Sequence, residues 1–157
     1  MTQVQEKSTQ IIKHLLPYLH GTIGIYMAYG KEVDVRSLLE YQELICCVPV
    51  TQRDHCMQFY QVDKDTAWTQ GTYGIAEPIH TSMVHRDDIN VMVVPMVAFD
   101  EKKNRMGHGK GYYDRYLKDY HGLKIGVAFA CQKLKQMDVY PHDIPMDMII
   151  TENTVYR

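Results

Sequence analysis

The chain has 157 residues, with 17 basic and 19 acidic side chains and a formal net charge of −2. A hydrophobic content of 45% and a charged content of 23% are ordinary for a globular protein. This length is typical of one domain with a substantial core. The balanced charge excludes overall electrostatic recruitment to nucleic acid or to an anionic membrane. We therefore expect a single domain over residues 1–157.

Cysteine usage and the absence of targeting signals predict a cytoplasmic protein without a membrane span. The four cysteines form no CxxC pair and no histidine–cysteine spacing of a metal site. They are Cys46, Cys47, Cys56 and Cys131. Reduced cysteines are typical of the cytosol. The N-terminus has no signal-like pattern, and no apolar run reaches the roughly 20 residues of a membrane helix.

The first half of the chain predicts alternating helices and strands. Apolar residues at helical spacing predict a helix from Val4 to Leu19, which His20 and Gly21 would end. The other predicted elements are a strand at 22–29, a helix at 35–42 with Asp34 as its N-cap, and strands at 44–50 and 57–62.

The second half continues the alternation. The polar segment 63–86 is predicted to be a ligand-facing loop. It is followed by a buried strand at 91–100, a glycine loop, a helix at 112–120, and strands at 124–129 and 148–151. Alternating strands and helices favour an α/β fold with a mostly parallel sheet. Ligands bind such sheets at the carboxyl ends of the strands.

The segment Arg105–Asp114 is the strongest functional signal. Its three glycines alternate with His108 and Lys110, so the backbone can take positive φ and aim its N–H groups at phosphate oxygens. Arg105 and Lys110 add positive charge, and Asp114 offers a carboxylate for a divalent cation. The segment predicts a site for ATP with Mg²⁺. The alternative is a tight strand-to-helix turn with solvated lysines.

The same segment carries a resemblance to a known family. Val94–Asp100 followed by Arg105–Leu117 resembles the signature of the 5-formyltetrahydrofolate cyclo-ligases, also called methenyltetrahydrofolate synthetases. Further similar pieces follow in the family's order at 25–34, 73–78, 127–132 and 141–147. The resemblance spans about Lys7 to Glu152. It implies a three-layer, Rossmann-like α/β fold of the CoA-transferase-like type, in which helices flank a mostly parallel sheet.

The resemblance also implies an activity. The family closes 5-formyltetrahydrofolate to 5,10-methenyltetrahydrofolate while ATP is hydrolysed to ADP and phosphate, through a phosphorylated formyl group (an iminium phosphate). Because the reacting nucleophiles belong to the substrate, the protein supplies position and charge rather than a covalent nucleophile. The implied partners are the small molecules 5-formyltetrahydrofolate and ATP, with no nucleic acid or membrane. The protein is expected to act as a monomer or weak homodimer.

Roles on the ATP side follow from the matching positions. Arg105, Lys110 and Tyr112 match catalytic positions, with the two cations on the phosphates and the tyrosine near the formyl group. The implied ATP-binding residues are Arg105, Gly107, His108, Gly109, Lys110, Gly111, Tyr112 and Tyr113. Asp114 and Asp143 match the magnesium ligands. Asp143 is alternatively a turn-forming residue, and Asp147 is a rival ligand.

On the folate side, Glu32 matches a carboxylate that pairs with the amide-like edge of the pterin, since a carboxylate can accept two N–H bonds. Met27 matches an apolar pocket position and Tyr73 an aromatic wall; His108 and Tyr112 would also contact this substrate. Without the resemblance, Met27 and Tyr73 are typical core residues, and Glu32 is a typical solvated loop residue.

One departure from the family pattern leaves other functions open. The family usually begins with a helix whose lysine and arginine reach the ATP phosphates, whereas Met1 falls within what resembles the second helix. This departure allows a non-catalytic folate- or nucleotide-binding paralogue on the same scaffold. A third hypothesis is a different nucleotide-dependent enzyme that uses the same glycine loop and ignores folates.

Overall fold

A mixed eight-stranded sheet forms the centre of the computed structural model, which describes residues 2–157. The two α-helices are α1 (Gln3–Leu15) and α2 (Tyr112–Leu117). The strands are β1 (Thr22–Gly24), β2 (Ile45–Thr51), β3 (Met57–Val62), β4 (Ala67–Gln70), β5 (Ala76–Ile79), β6 (Met83–Val84), β7 (Val91–Pro95), β8 (Ala98–Phe99), β9 (Arg105–Met106), β10 (Leu123–Val127), β11 (Met148–Ile150) and β12 (Val155–Tyr156). Short 3₁₀ turns occur at Leu16–Tyr18, Arg36–Glu40, Arg53–His55, Thr72–Gly74, Arg86–Asp88 and Ala130–Gln132.

The strand order in the sheet is β12-β11-β10-β7-β1-β2-β3-β6. The five strands from β11 to β2 pair in parallel. Antiparallel strands complete both edges, with β12 beside β11 and with β3 and β6 beyond β2. The β4–β5 and β8–β9 pairs are separate hairpins. This mostly parallel sheet with flanking helices confirms the predicted α/β fold.

The central strand β7 shows why the fold has three layers. Its side chains alternate between the two faces of the sheet. Val91 and Val93 join the core beneath α1, whereas Met92 and Val94 join the core that includes Leu117 of α2. All four β7 side chains are fully buried, and each contributes roughly 1.5–3 kcal/mol relative to exposure. A strand buried on both faces explains the continuous apolar run in the sequence.

Helix α1 begins with a capping box and ends two residues before Pro17. Thr2 accepts a hydrogen bond from the backbone N–H of Gln5, whose side chain accepts one in return from the N–H of Thr2. The predicted helix from Val4 to Leu19 is correct in place but too long. Pro17 cannot donate a helical hydrogen bond, and the chain continues after Leu15 as a 3₁₀ turn.

Two predicted elements in the first half are shorter than expected. The strand expected over residues 22–29 ends at Gly24, because the following residues leave the sheet to line a cavity. The helix expected over residues 35–42 is a five-residue 3₁₀ turn. Asp34 is not its N-cap: its carboxylate instead accepts a hydrogen bond from the backbone N–H of Arg36 and pairs with that guanidinium.

Differences in the second half have related causes. The segment 63–86 contains the β4–β5 hairpin and β6, whose mostly exposed residues gave little apolar signal. The strand expected over 91–100 is divided into β7 and β8, and helix α2 ends at Leu117. Tyr120 still packs in the core next to this helix. The structure adds β12, which the sequence analysis did not predict. No helix within residues 2–157 is long and apolar enough to cross a bilayer.

Candidate functional site

A cavity of about 560 Å³ lies at the carboxyl ends of parallel strands. Thr51 ends β2 and Pro95 ends β7, and both line it; Tyr26 and Met27, from the segment after β1, form another part of the wall. Every predicted site residue lines this cavity: Met27, Glu32, Tyr73, Arg105, Gly107, His108, Gly109, Lys110, Gly111, Tyr112, Tyr113, Asp114 and Asp143. Their individual roles remain predictions.

The glycine loop connects β9 to α2, so it follows the β8–β9 hairpin rather than the central strand directly. Gly109 has φ +85° and Gly111 has φ +72°, which side chains with a Cβ rarely adopt. Gly107 is needed for a different reason. A Cβ at this position would lie 2.6 Å from an Nη2 atom of Arg105. The loop therefore brings backbone and guanidinium close together on the cavity wall.

Arg105 is held as a fixed cation. Its Nε donates a 2.9 Å hydrogen bond to the carbonyl of Pro95 at the end of β7, and its Cζ lies 5.0 Å from the ring centroid of Tyr113. Burial lowers the pKa of the Arg105 guanidinium, yet an arginine remains charged in proteins. One edge of the guanidinium is thus anchored, and the cation lines the cavity.

Lys110 is the mobile counterpart of Arg105. The residue is exposed, and its Nζ lies 6.0 Å from the ring centroid of Tyr73. Tyr73 has φ +61° in the 3₁₀ turn after β4 and is 52% exposed at the cavity rim. Tyr112, in the first turn of α2, packs its ring 5.8 Å from that of His55. Tyr73 and Tyr112 both line the cavity and provide it with flat aromatic surfaces.

The carboxylate of Glu32 lines the cavity next to His108 of the glycine loop. Its Oε1 accepts a 2.7 Å hydrogen bond from the backbone N–H of Tyr29, and its Oε2 lies 3.6 Å from Nε2 of His108. The side chain of Glu32 is 14% exposed, compared with 64% for His108. Glu32 is therefore an ordered acceptor in the cavity wall rather than a solvated loop residue.

Asp114 and Asp143 lie on the same wall and share one backbone segment. Oδ1 of Asp114 accepts a 3.1 Å hydrogen bond from the N–H of Ile144, and Oδ2 of Asp143 accepts one of 2.9 Å from the N–H of Tyr140. Asp143 thus also has the turn-forming role that the sequence left open. Asp147 lies outside the cavity lining and binds Lys124 through the backbone N–H at 2.8 Å and Nζ at 3.3 Å.

The donor set fits a magnesium ion shared with a ligand. Among residues 2–157, no group of three histidine, cysteine or acidic side chains could enclose a metal on its own. Mg²⁺ usually binds one or two carboxylates together with substrate phosphates. Asp114 and Asp143 each keep an oxygen that makes no hydrogen bond to the backbone. These residues suit a metal–nucleotide complex better than a resident metal.

Tyr113 carries an unusual hydroxyl group. Its oxygen is inaccessible to solvent and has no hydrogen-bond partner, although the residue lines the cavity. Burial raises the pKa of this phenol, so the neutral form is retained. An unpaired buried hydroxyl costs free energy, and the ring that carries this one packs against the Arg105 guanidinium.

The sequence analysis missed part of the wall. Tyr140 and His142 line the cavity with their rings nearly parallel and 6.1 Å apart. Tyr140 precedes the Pro141–Asp147 piece and His142 lies within it, but only the carboxylates of that piece were considered. Thr51 and Met57, which pair beside the turn of the β2–β3 hairpin, also line it. Gln132 donates hydrogen bonds to the backbone next to β7 and lies outside the lining.

Comparison with known proteins agrees with this architecture. The model of the 5-formyltetrahydrofolate cyclo-ligase family matches residues 2–152. The 5-formyltetrahydrofolate cyclo-ligase of Escherichia coli K12 is 37% identical over 169 aligned residues, which cover 99% of this chain and 93% of the relative. A probable 5-formyltetrahydrofolate cyclo-ligase of Schizosaccharomyces pombe is 33% identical over 147 residues, covering 81% of this chain and 72% of the relative.

A solved structure is similar over the whole described fold. The NMR structure of Aquifex aeolicus 5,10-methenyltetrahydrofolate synthetase superimposes with a TM-score of 0.87 at 33% identity. The match covers 99% of this chain and 82% of that one. The shared sheet and helices therefore extend to the strands whose carboxyl ends form the cavity.

Proposed function

The chain belongs to the 5-formyltetrahydrofolate cyclo-ligase family of enzymes, and we propose that it closes 5-formyltetrahydrofolate to 5,10-methenyltetrahydrofolate with hydrolysis of ATP to ADP and phosphate. One observation supports the proposed activity in addition to membership of the family. A single cavity brings together a glycine loop with two cations, a pair of carboxylates, and the largely buried carboxylate of Glu32. These are the elements needed to hold a polyphosphate beside a flat heterocycle.

The proposed reaction has two bond-forming steps on the substrate. The formyl oxygen attacks the γ-phosphorus of ATP, ADP leaves with the electrons of the broken P–O bond, and an iminium phosphate results. The folate N10 then attacks the formyl carbon of this intermediate and loses its proton. The C–O bond breaks, and phosphate leaves with its electron pair, which completes the ring. No protein nucleophile is required, in keeping with a catalysis of position and charge.

Arg105 and Lys110 would offset the charge that develops during phosphoryl transfer. Arg105 is anchored to Pro95 before any ligand arrives, so little reorganisation accompanies the reaction. Lys110 is exposed and can follow the transferred group. Each well-placed charge of this kind contributes roughly 3–4 kcal/mol to transition-state stabilisation. Glycines of the loop would leave backbone N–H groups facing the phosphates.

The folate would lie along the other half of the cavity. The carboxylate of Glu32 is fixed by Tyr29 and can accept N–H groups from a 2-amino-pyrimidinone edge. Met27 offers an apolar surface, and Tyr73 offers an aromatic one. Tyr112, at the start of α2, is then adjacent to the formyl group. In this proposed arrangement the formyl oxygen would lie between the pterin and the phosphates.

Asp114 and Asp143 are the proposed magnesium ligands. Bound with ATP, the ion would neutralise phosphate charge and orient the γ-phosphate. The two side chains are positioned for this task by the backbone hydrogen bonds that they already accept. Asp147 is not proposed as a magnesium ligand, because it lies outside the cavity and forms an ion pair with Lys124.

The proposed setting is the reducing cytoplasm. All four cysteines are free, and Cys46 and Cys47 are buried within β2, in agreement with a protein that needs no disulfide. The small-molecule cavity requires neither nucleic acid nor membrane as a partner. We propose action as a monomer or weak homodimer.

The decisive experiment follows the ultraviolet absorbance of 5,10-methenyltetrahydrofolate after the protein is mixed with 5-formyltetrahydrofolate, Mg²⁺ and ATP. We expect a rise that requires ATP. The matched variants are Lys110→Met in the glycine loop and Lys102→Met in the nearby β8–β9 turn, since both remove one exposed ammonium group. Only Lys110→Met should suppress the rise. A folded protein that binds both ligands without any ATP-dependent product would instead be a non-catalytic relative.

A further inference from the structure

The interaction between His108 and Glu32 depends on whether the His108 imidazole is protonated. Nε2 of His108 and Oε2 of Glu32 are 3.6 Å apart, which is too long for a hydrogen bond between neutral and charged groups. It is within range of an ion pair when the imidazole is protonated. Histidine is the side chain whose ordinary titration falls between pH 5 and 8. The contact therefore strengthens as pH falls through that range.

The two partners differ in mobility. Glu32 is largely buried and is tied to the N–H of Tyr29, whereas His108 is 64% exposed. The glycines on either side of His108 leave it few constraints, and space around the Cβ direction of Gly109 is open within 4 Å. The imidazole can therefore approach or leave the carboxylate while Glu32 stays in place.

The folate proposed above needs the same carboxylate. Glu32 has one oxygen bound to the backbone and one facing His108. A 2-amino-pyrimidinone edge binds a carboxylate best when it can donate to both oxygens. A protonated His108 offers Oε2 a competing donor with a full positive charge. The two donors compete for the position and the negative charge of that oxygen.

We propose that His108 is a positioning residue that acts through Glu32: its protonated form holds the carboxylate against the loop and opposes folate binding, and its neutral form releases the carboxylate to the pterin. The inference rests on the proposed function of the cavity. It predicts that folate affinity, rather than the rate of the chemical step, depends on the protonation of this one side chain.

Three other ionisable groups of the cavity keep the same charge over this pH range. Arg105 lies beside Tyr113 and acts on Glu32 at all relevant pH values, because arginine remains charged. Burial raises the pKa of Tyr26 and of Tyr113, so both phenols remain neutral. None of these three groups can supply a change of charge near neutral pH.

The remaining groups come from the other walls. Lys110 belongs to the glycine loop and Glu77 to β5; Asp114 belongs to α2, and Asp138 and Asp143 to the segment after β10. Lysine and carboxylate side chains ordinarily titrate well outside the interval from pH 5.5 to 7.5. The other imidazole on the wall is His142, with its Nε2 3.6 Å from Oδ1 of Asp143. It needs its own control.

The experiment measures equilibrium binding of 5-formyltetrahydrofolate at pH 7.5 and at pH 5.5, and KM and kcat at saturating ATP and Mg²⁺. For the unmodified chain we expect the folate Kd and KM to rise about tenfold at the lower pH, because a protonated histidine competes with the pterin for Oε2 of Glu32. His108→Gln should show a folate Kd that changes little between the two pH values, and His108→Arg should bind folate more weakly than His108→Gln at both. His142→Gln should retain the tenfold rise.

Two results would overturn the inference while leaving the proposed function intact. One is a His108→Gln variant that shows the same tenfold rise as the unmodified chain. The other is a folate affinity that increases at pH 5.5, which would mean that the protonated imidazole assists binding. Absence of folate binding by every variant at both pH values would instead refute the proposed function, and with it this inference.

Discussion

The carboxylate of Asp114 accepts a 3.1 Å hydrogen bond from the backbone N–H of Ile144 and so joins the first turn of α2 to the segment after β10. That segment carries Asp143, whose carboxylate is bound in turn to the N–H of Tyr140. The two acidic side chains are therefore parts of one hydrogen-bonded wall. Removal of the Asp114 side chain therefore affects the structure of this wall as well as its charge.

Asp114→Asn separates these two effects. An asparagine oxygen can still accept the bond from Ile144, but it lacks the charge that favours Mg²⁺, so we expect turnover to fall at least about 100-fold with little change in stability. Asp114→Ala should in addition lose about 1 kcal/mol of unfolding free energy. Turnover across a magnesium titration and urea denaturation measure the two effects. Asp147→Asn is the control outside the cavity; equal loss of turnover there would refute the assignment.

Gly107→Ala should displace the fixed cation without unfolding the protein. The added Cβ would lie 2.6 Å from Nη2 of Arg105, so the guanidinium must move away from its position near Tyr113. We expect the KM for ATP to rise roughly tenfold or more, on the basis that a 1 Å misplacement can cost about 100-fold in rate. Steady-state kinetics test this. An unchanged KM would show that Arg105 does not contact the phosphates.

Tyr113→Phe should leave the stability unchanged or increase it slightly. The hydroxyl of Tyr113 has no partner, so its removal deletes an unsatisfied polar group. Tyr120→Phe is the matched comparison, because the Tyr120 hydroxyl donates a 2.8 Å hydrogen bond to the carbonyl of Ile89. That variant should lose about 1 kcal/mol. Urea denaturation of both proteins makes the comparison; a larger loss for Tyr113→Phe would contradict the orphaned hydroxyl.

Thiol reactivity should distinguish the two buried cysteines from the two exposed ones. Burial raises the pKa of Cys46 to about 11 and that of Cys47 to about 12, and only the thiolate is a good nucleophile. At pH 8 a thiol reagent should modify Cys56 and Cys131 in the native protein. All four should react after denaturation. Modification of Cys46 or Cys47 as fast as Cys56 would contradict the burial of β2.

The same raised pKa values predict a loss of stability in alkaline solution. Cys46 and Cys47 resist ionisation in the folded state but ionise freely once unfolded. Their contribution is therefore fully present below their unfolded pKa values, near 8.5 in general, and declines as pH rises toward 11 and 12. Denaturation midpoints from pH 8 to pH 11 measure the decline. Cys46→Ala with Cys47→Ala should flatten the profile in this interval.

The parts of the fold that could be predicted are those with strong local requirements. The fully apolar β7 and the helical spacing before Pro17 indicated a buried strand and an amphipathic helix, and both are present. Gly109 and Gly111 occupy the positive-φ positions that alternating glycines suggest. Local chemistry fixes such features, so they are visible in a single sequence.

The parts that could not be predicted depend on distant contacts. β12 contains only Val155 and Tyr156 and exists because it pairs with β11, a contact without a local pattern. The wall formed by Tyr140 and His142 requires the chain after β10 to return to the glycine loop. Glu32 looks like any surface glutamate until its bond to Tyr29 is known. Only the family resemblance, and not composition or periodicity, marked it in advance.

The two outermost strands of the sheet, β6 and β12, are each two residues long. Both edges therefore expose very few free backbone N–H and C=O groups, and this limits the growth of the sheet by addition of a strand from another molecule. The five parallel strands between them are sequestered from such contacts. The protein can thus keep an open, ligand-accessible sheet terminus without offering a template for aggregation.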